Sequence, residues 1–281
     1  MKIHAIQTGT VVIRPNQRRG KGAGPLRLIN TFSDRHWTEP LPIYAWVIEH
    51  PEGVIVIDTG ETAQATMAGY FPAWHPYYKN VALQVTPEQE IGPQLQAIGI
   101  HPGDVRRVIL THLHTDHAGG LRHFPKSEIL VMRRAFELAA GLAGQLRGFL
   151  PHRWPSWFAP RLIDLAPAPF GVFPSSYQLT DAGDVFIVPT SGHTEAHVSV
   201  LLQDSDLTFF FAGDASYTQQ LMLDQQIDGV AFNSREARQT LSRIYQFTQS
   251  SGTVYLPTHD PESATRLASK NVVAIEQSVS G

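Results

Sequence analysis

The run Thr111-His112-Leu113-His114-Thr115-Asp116-His117-Ala118-Gly119-Gly120 gathers three imidazoles and a carboxylate in one short stretch. In extended backbone, residues two apart point the same way, so His112 and His114 can grip one cation from one side. The chain then turns, and Asp116 and His117 reach the neighbouring position. With 13 histidines in 281 residues, a chance His-x-His-x-Asp-His has a probability on the order of one in a thousand. Four nearby groups cannot close the shells of two metals, so further ligands must come from downstream strand ends. Three candidates stand where turns are predicted: His193 in Ser191-Gly192-His193-Thr194, Asp214 in Gly213-Asp214-Ala215, and His259 in Pro257-Thr258-His259-Asp260.

The chain has no cysteine, which excludes disulfides, thiolate metal sites and cysteine nucleophiles and leaves the metal chemistry to histidine. Neutral imidazoles with a few carboxylates suit zinc, with manganese, cobalt and iron also compatible with such ligands. Lys plus Arg number 22 against 25 Asp plus Glu, a net charge of −3. No global positive field exists to gather nucleic acid or anionic lipid. The basic cluster Arg14 to Lys21 lacks interleaved aromatics and reads as a solvated, flexible loop. Apolar residues at 42% and charged ones at 17% describe a globular chain with a large core. Met1 to Thr8 turns polar too soon for a signal core, and no long apolar run follows. A cytoplasmic protein with neither nucleic-acid nor membrane partners is expected.

Two stretches position these residues by the same layout. Ile43 to Gly60 reads as an apolar strand, the turn His50-Pro51-Glu52-Gly53, the strand Val54 to Ile57, then Asp58-Thr59-Gly60. Val198 to Ala215 repeats it: a strand through Leu202, a polar turn at Gln203 to Asp206, the strand Leu207 to Phe211, then Ala212-Gly213-Asp214. Duplicated hairpins followed by helical material predict two β-rich halves packed face to face with helices outside. Pro87 to Ile98 is predicted as a helix with Thr86 as N-cap and Gly99 closing it. Asp104 to Leu110 is predicted as a strand entering Thr111-His112, Ser234 to Ser250 as an amphipathic helix, and Thr253 to Leu256 as a short strand delivering His259. Three Pro-rich segments, 14–42, 61–80 and 141–177, are expected as loop insertions in one domain spanning 1–281. The aromatic runs of the last two are candidates for a substrate channel or a homodimer contact.

In these ordered motifs the chain resembles the metallo-β-lactamase superfamily over nearly its whole length: Asp58 in Asp-Thr-Gly, the His112 to His117 cluster, Gly192-His193-Thr194, Gly213-Asp214-Ala215 and Thr258-His259. The resemblance implies an α/β (α+β) architecture, the αββα sandwich of two mixed sheets flanked by helices. It implies two Zn²⁺ ions, the first held by His112, His114 and His193, the second by Asp116, His117 and His259, with Asp214 bridging them. Asp58 would support the ligand loop. The segment Asp214-Ala215-Ser216-Tyr217 resembles the Asp-Ala-x-Tyr of N-acyl homoserine lactonases, in which the tyrosine faces the substrate carbonyl. Glu195 and Ala196 stand where the family carries proline and glycine, which bears on substrate rather than metal. His197 is expected as a hydrogen-bond partner.

The implied activity is ester-bond hydrolysis, the opening of an acyl-homoserine lactone ring by a metal-activated hydroxide, with Asp116 and Tyr217 as the catalytic side chains. Rival readings are a glyoxalase II-like thioesterase or another esterase, a phosphotriesterase, and a non-catalytic metal-binding protein.

Overall fold

The computed structural model describes residues 1–274. Strands β1 (Lys2–Ile13), β2 (Leu41–Glu49), β3 (Val54–Ile57), β4 (Val81–Gln84), β5 (Val105–Ile109), β6 (Glu128–Met132) and β7 (Arg161–Ile163) form one sheet, in the order β4-β1-β2-β3-β5-β6-β7. Strands β8 (Tyr177–Gln178), β9 (Val185–Pro189), β10 (Val198–Asp204), β11 (Leu207–Gly213) and β12 (Thr253–Pro257) form the other, in the order β12-β11-β10-β9-β8. Both sheets are mixed. β2 pairs antiparallel with β3, while β3, β5, β6 and β7 run parallel; β10 pairs antiparallel with β11, and β11 runs parallel to β12.

The two-fold side-chain period of a strand explains the layering. On β2, Tyr44, Trp46 and Ile48 face the second sheet, while Ala45 and Val47 face the helices outside. On β11, Phe209 and Phe211 face the first sheet, and Phe210 and Ala212 the helix Ser234–Ser250. Strands buried on both faces read as unbroken apolar runs, as these do. The αββα sandwich follows from that pattern.

The predicted helix over Ser234 to Ser250 is present, with the Asn233 side chain accepting from the amides of Arg235 and Glu236. The predicted helix from Pro87 to Ile98 is broken in two: a 3₁₀ turn at Pro87–Gln89 and a helix at Ile91–Ala97. The break falls at Glu90, whose backbone is extended and whose buried carboxylate accepts from the Thr62 hydroxyl and the Ala63 amide and pairs with Arg122 and His123. Satisfying a buried charge outweighs one turn of helix.

The Pro-rich segments are more regular than expected. Within 141–177 the chain forms a helix at Gly141–Leu146 and the edge strand β7, and within 14–42 helices at Pro15–Arg18 and Pro25–Ser33. Proline sits at the first or second position of both of the latter, where its missing amide costs nothing. Among the described residues no helix is long and apolar enough to cross a membrane.

Candidate metal centre

Strand ends deliver the site. Asp58 follows β3, Thr111 to His117 follow β5, His193 follows β9, Asp214 follows β11 and His259 follows β12, so all meet along one edge of the sandwich. β5 itself stops at Ile109, and His112 to His114 are an extended loop rather than strand. A single helical turn, Thr115–Ala118, then swings Asp116 and His117 around. Gly213 has φ 56°, and a Cβ there would come within 2.7 Å of His197 Nε2, so only glycine lets β11 hand over Asp214 at this point.

The seven side chains singled out from the sequence converge. Nε2 of His112 stands 2.9 Å from Nδ1 of His114, and Nε2 of His193 stands 3.1 Å from the same atom. Around the second focus, His259 Nε2 is 3.4 Å from Asp116 Oδ2, and His117 Nε2 is 3.9 Å from Asp116 Oδ1. Asp214 faces both: Oδ1 lies 3.2 Å from His117 Nε2 and 3.3 Å from His259 Nε2, while Oδ2 lies 3.5 Å from His193 Nε2. Three groups, His112/His114/His193, His112/His117/Asp214 and Asp116/His117/His259, each bring their ligand atoms within 4.8 Å of one another and could hold a metal.

The far nitrogens of the rings are anchored. His117 Nδ1 meets Asp58 Oδ2 at 2.8 Å, His259 Nδ1 donates to the Pro42 carbonyl at 2.9 Å, and His193 Nδ1 meets Asp228 Oδ2 at 3.2 Å. Such partners fix which nitrogen faces inward. Asp58 also accepts from the Thr111 amide at 2.8 Å, tying the ligand loop to β3. His197 accepts from the Asp214 amide at 3.0 Å and so positions that carboxylate, as its sequence context suggested. Asp228 was not foreseen, because a lone aspartate in Ile227-Asp228-Gly229 carries no motif.

The imidazoles of the cluster differ in how burial and the carboxylates act on them. Burial pushes the His112 imidazole well down and that of His114 to about 4, the latter helped by neighbouring His193, so both are neutral lone-pair donors. Burial also opposes charge on His117 and His259, but carboxylates overcome it, those of Asp214, Asp58 and Asp116 for His117 and those of Asp214 and Asp116 for His259, which is held up at about 10. Asp116, despite burial, is drawn down to about 2, chiefly by His117 and His259. His117 Nε2 and Asp214 Oδ1 are both buried without a hydrogen-bond partner. Orphaned buried polar atoms of this kind need a counterpart, and divalent cations supply one. The donor set fits them.

Tyr217 is buried, its ring stacked on His259 with centroids 5.4 Å apart. It lines a small cavity of about 30 Å³ together with Asp116, Asp214 and His259. A larger cavity of about 630 Å³ opens beside His112, His114 and His193. Its apolar wall is Leu28, Phe32, Leu138, Leu146, Phe149 and Phe232. The aromatic runs expected to form this wall contribute in part: Tyr77 and Phe149 line it, but Trp154 stacks on Phe136 and, with Phe158, is half-buried against the core. Tyr70, Phe71 and Tyr78 join a separate cluster around Leu150. The helix Pro25–Ser33 and Phe232 take their place. Glu195, where proline was expected, reaches out to Arg134 at 3.0 Å, and Ala196 is buried in the core.

Two mixed sheets face to face, helices outside and an imidazole–carboxylate cluster at one sheet edge define a metal-dependent hydrolase class. The metallo-beta-lactamase superfamily profile matches residues 38–259, and the chain belongs to that superfamily. Among its relatives is N-acyl homoserine lactonase AttM of Azorhizobium caulinodans, 24% identical over 233 residues that span 79% of this chain and 83% of that protein. The fold matches that of an N-acyl homoserine lactone hydrolase with N-hexanoyl-L-homoserine bound at its catalytic metal centre: TM-score 0.74, 20% identity, 96% of each chain covered. It also matches AidC, a dizinc quorum-quenching lactonase, at TM-score 0.65 and 14% identity over 93% of this chain and 88% of that one.

Proposed function

We propose that this hydrolase is a dinuclear-zinc lactonase that opens the ring of N-acyl homoserine lactones. The observation that carries the reading is the two-sided Asp214 carboxylate, one oxygen toward each imidazole group, with Tyr217 in the same cavity. His112, His114 and His193 would hold one cation, Asp116, His117 and His259 the other, and Asp214 would bridge them. When bound, a pair of divalent cations lowers the pKa of a shared water toward roughly 7 and polarises a carbonyl.

The chain's own groups do the rest. Asp116 ionises readily and is part-exposed toward the cavity, so it can accept the proton of the attacking water and return it to the leaving alkoxide. Tyr217 keeps its proton, because burial and the phenol of Tyr77 raise its pKa well above the ordinary tyrosine value. Its O–H therefore donates to the oxygen that becomes negative as the carbonyl turns tetrahedral. The acyl tail extends along the Leu28, Phe32, Leu146 and Phe232 wall, each buried methylene contributing about 0.8 kcal/mol. Relatives of this chain carry lactonase names, and that supports the substrate class.

The test is a panel of acyl-homoserine lactones, a thioester and a phosphotriester, read by proton release from zinc-loaded protein. Lactone turnover well above the other two is expected. A protein that turns over only the thioester or the phosphotriester sinks this substrate assignment.

A further inference from the structure

The small cavity beside Asp116, Asp214 and His259 contains a second phenol, that of Tyr77. Tyr77 sits on a 3₁₀ turn, Pro76–Lys79, with its amide donated to His75 Nδ1 at 3.2 Å. One side-chain nitrogen serves both phenols: Gln17 Nε2 donates to Tyr77 Oη at 3.2 Å and to Tyr217 Oη at 3.2 Å. An amide nitrogen has two N–H groups, one for each oxygen. A phenol oxygen that accepts in this way keeps its own O–H hydrogen for another acceptor. Burial and the nearby Asp116 carboxylate hold the Tyr77 phenol in its protonated form.

Gln17 is only 1% exposed, although it lies in the basic stretch that reads as a solvated loop. Its backbone is pinned as well, since Gly229 N donates to Gln17 O at 2.7 Å and Gly20 N to Ile227 O at 3.0 Å. A surface loop needs no such anchoring. A glutamine driven inward to touch two site phenols has a task there.

We infer that Tyr77 and Tyr217 together present two O–H donors to an anionic oxygen in this cavity, and that Gln17 is the positioning residue that holds both phenols as donors. The inference rests on the lactonase reading for the identity of that oxygen, the developing oxyanion of the opened carbonyl. Paired donors aimed at the charged state lower the barrier more than they tighten substrate binding. Tyr77, which lines the larger cavity as well, then acts in turnover and not only as channel wall.

The experiment uses zinc-loaded protein and two readouts: hydrolysis of N-hexanoyl homoserine lactone, and calorimetric affinity for methyl hexylphosphonate, whose anionic oxygen mimics the oxyanion. Tyr77→Phe is expected to lower kcat about 10- to 100-fold with KM within about 3-fold, and to weaken phosphonate binding about 10-fold. Gln17→Met should reproduce part of that loss, and lose its effect in the Tyr77→Phe/Tyr217→Phe background. Gln17→Glu, which offers acceptors in place of donors, should fall below Gln17→Met. Zinc content and melting temperature are measured on every variant, so that if a Gln17 variant misfolds, Tyr77→Phe alone decides. Unchanged kcat and phosphonate affinity in Tyr77→Phe overturns the inference, as does wild-type turnover in Gln17→Glu or a full Gln17→Met effect without the phenols. If wild type opens no lactone yet loses phosphonate affinity in Tyr77→Phe, the lactonase reading fails and the two-donor inference stands.

Discussion

Asp228 Oδ2 stands 3.2 Å from Nδ1 of His193, so a carboxylate on the loop before the helix Ser234–Ser250 orients an imidazole at the end of β9. Asp228 is itself buried, and its other oxygen accepts from the Val230 amide at 2.7 Å. The carboxylate therefore has little freedom to leave the ring.

Removing it should loosen the ring without removing the ligand. Asp228→Ala is expected to weaken metal affinity about 10- to 100-fold while the far-UV spectrum is retained. Competition with a calibrated chelator measures this. Unchanged affinity would show that His193 is oriented by packing alone.

Asp214 touches both imidazole groups, so its loss should be felt twice. Asp214→Asn is expected to drop bound metal from about two per chain to one or fewer, and to lower turnover by more than about 10³-fold. His114→Ala should lose metal in the same direction. Elemental analysis of dialysed protein, alongside lactone assays, tests both.

Tyr217 makes no contact that a cation needs. Tyr217→Phe is expected to keep its metal and lose about 10²-fold to 10³-fold in kcat, the effect of one oxyanion donor worth about 3 to 4 kcal/mol. Full activity in this variant would remove the phenol from the mechanism.

The wall of the larger cavity sets tail preference. Since each buried methylene contributes about 0.8 kcal/mol, kcat/KM should climb with tail length in wild type. Phe232→Ala should flatten the climb, whereas Trp154→Ala should leave it in place, because Trp154 is packed beneath the wall against Phe136. The slope of log kcat/KM from butanoyl to decanoyl substrates decides between them.

Glu61 offers a pH signature in metal-stripped protein. Burial raises its carboxyl to about 8, and its Oε2 has no hydrogen-bond partner. In the unfolded chain the group ionises near its ordinary value of 4.5. Between those pH values the unfolded state releases the proton and the folded state keeps it, so this residue makes stability fall as pH rises, with the full loss above about pH 8. Glu61→Gln should remove that contribution and gain on wild type by a few kcal/mol, on the order of the shift at 1.36 kcal/mol per pH unit. Urea midpoints at pH 5, 7 and 9 in chelator give the difference. A constant offset across that range would rule it out.

The metal-centre candidates were legible because ligand chemistry is local in type: His112, His114, Asp116 and His117 fall within six consecutive residues, and His193, Asp214 and His259 each follow an apolar strand beside a glycine or threonine. The sandwich was legible for a similar reason, since double-sided burial leaves unbroken apolar runs such as Val54 to Ile57 and Phe209 to Ala212. Helix boundaries were less so: Glu90 breaks a pattern that reads as continuous, because its partners Arg122 and His123 lie far along the chain.

Asp228, Gln17 and Tyr77 belong to a different order of information. None sits in a motif, and each acquires its place through a partner that only the folded chain brings near: His193 for the first, and the phenol of Tyr217 for the other two through the Gln17 amide. The cavity wall is of the same kind. Its residues come from the helix Pro25–Ser33, from Tyr77, from Leu138 to Phe149 and from Phe232. Apolar side chains look alike in a sequence whether they pack against a core, as Trp154 does, or line an opening. Ligand identity is thus written in residue types, whereas orientation, exclusion of water and the shape offered to a substrate depend on distances between segments, and those exist only after the sheets have closed on each other.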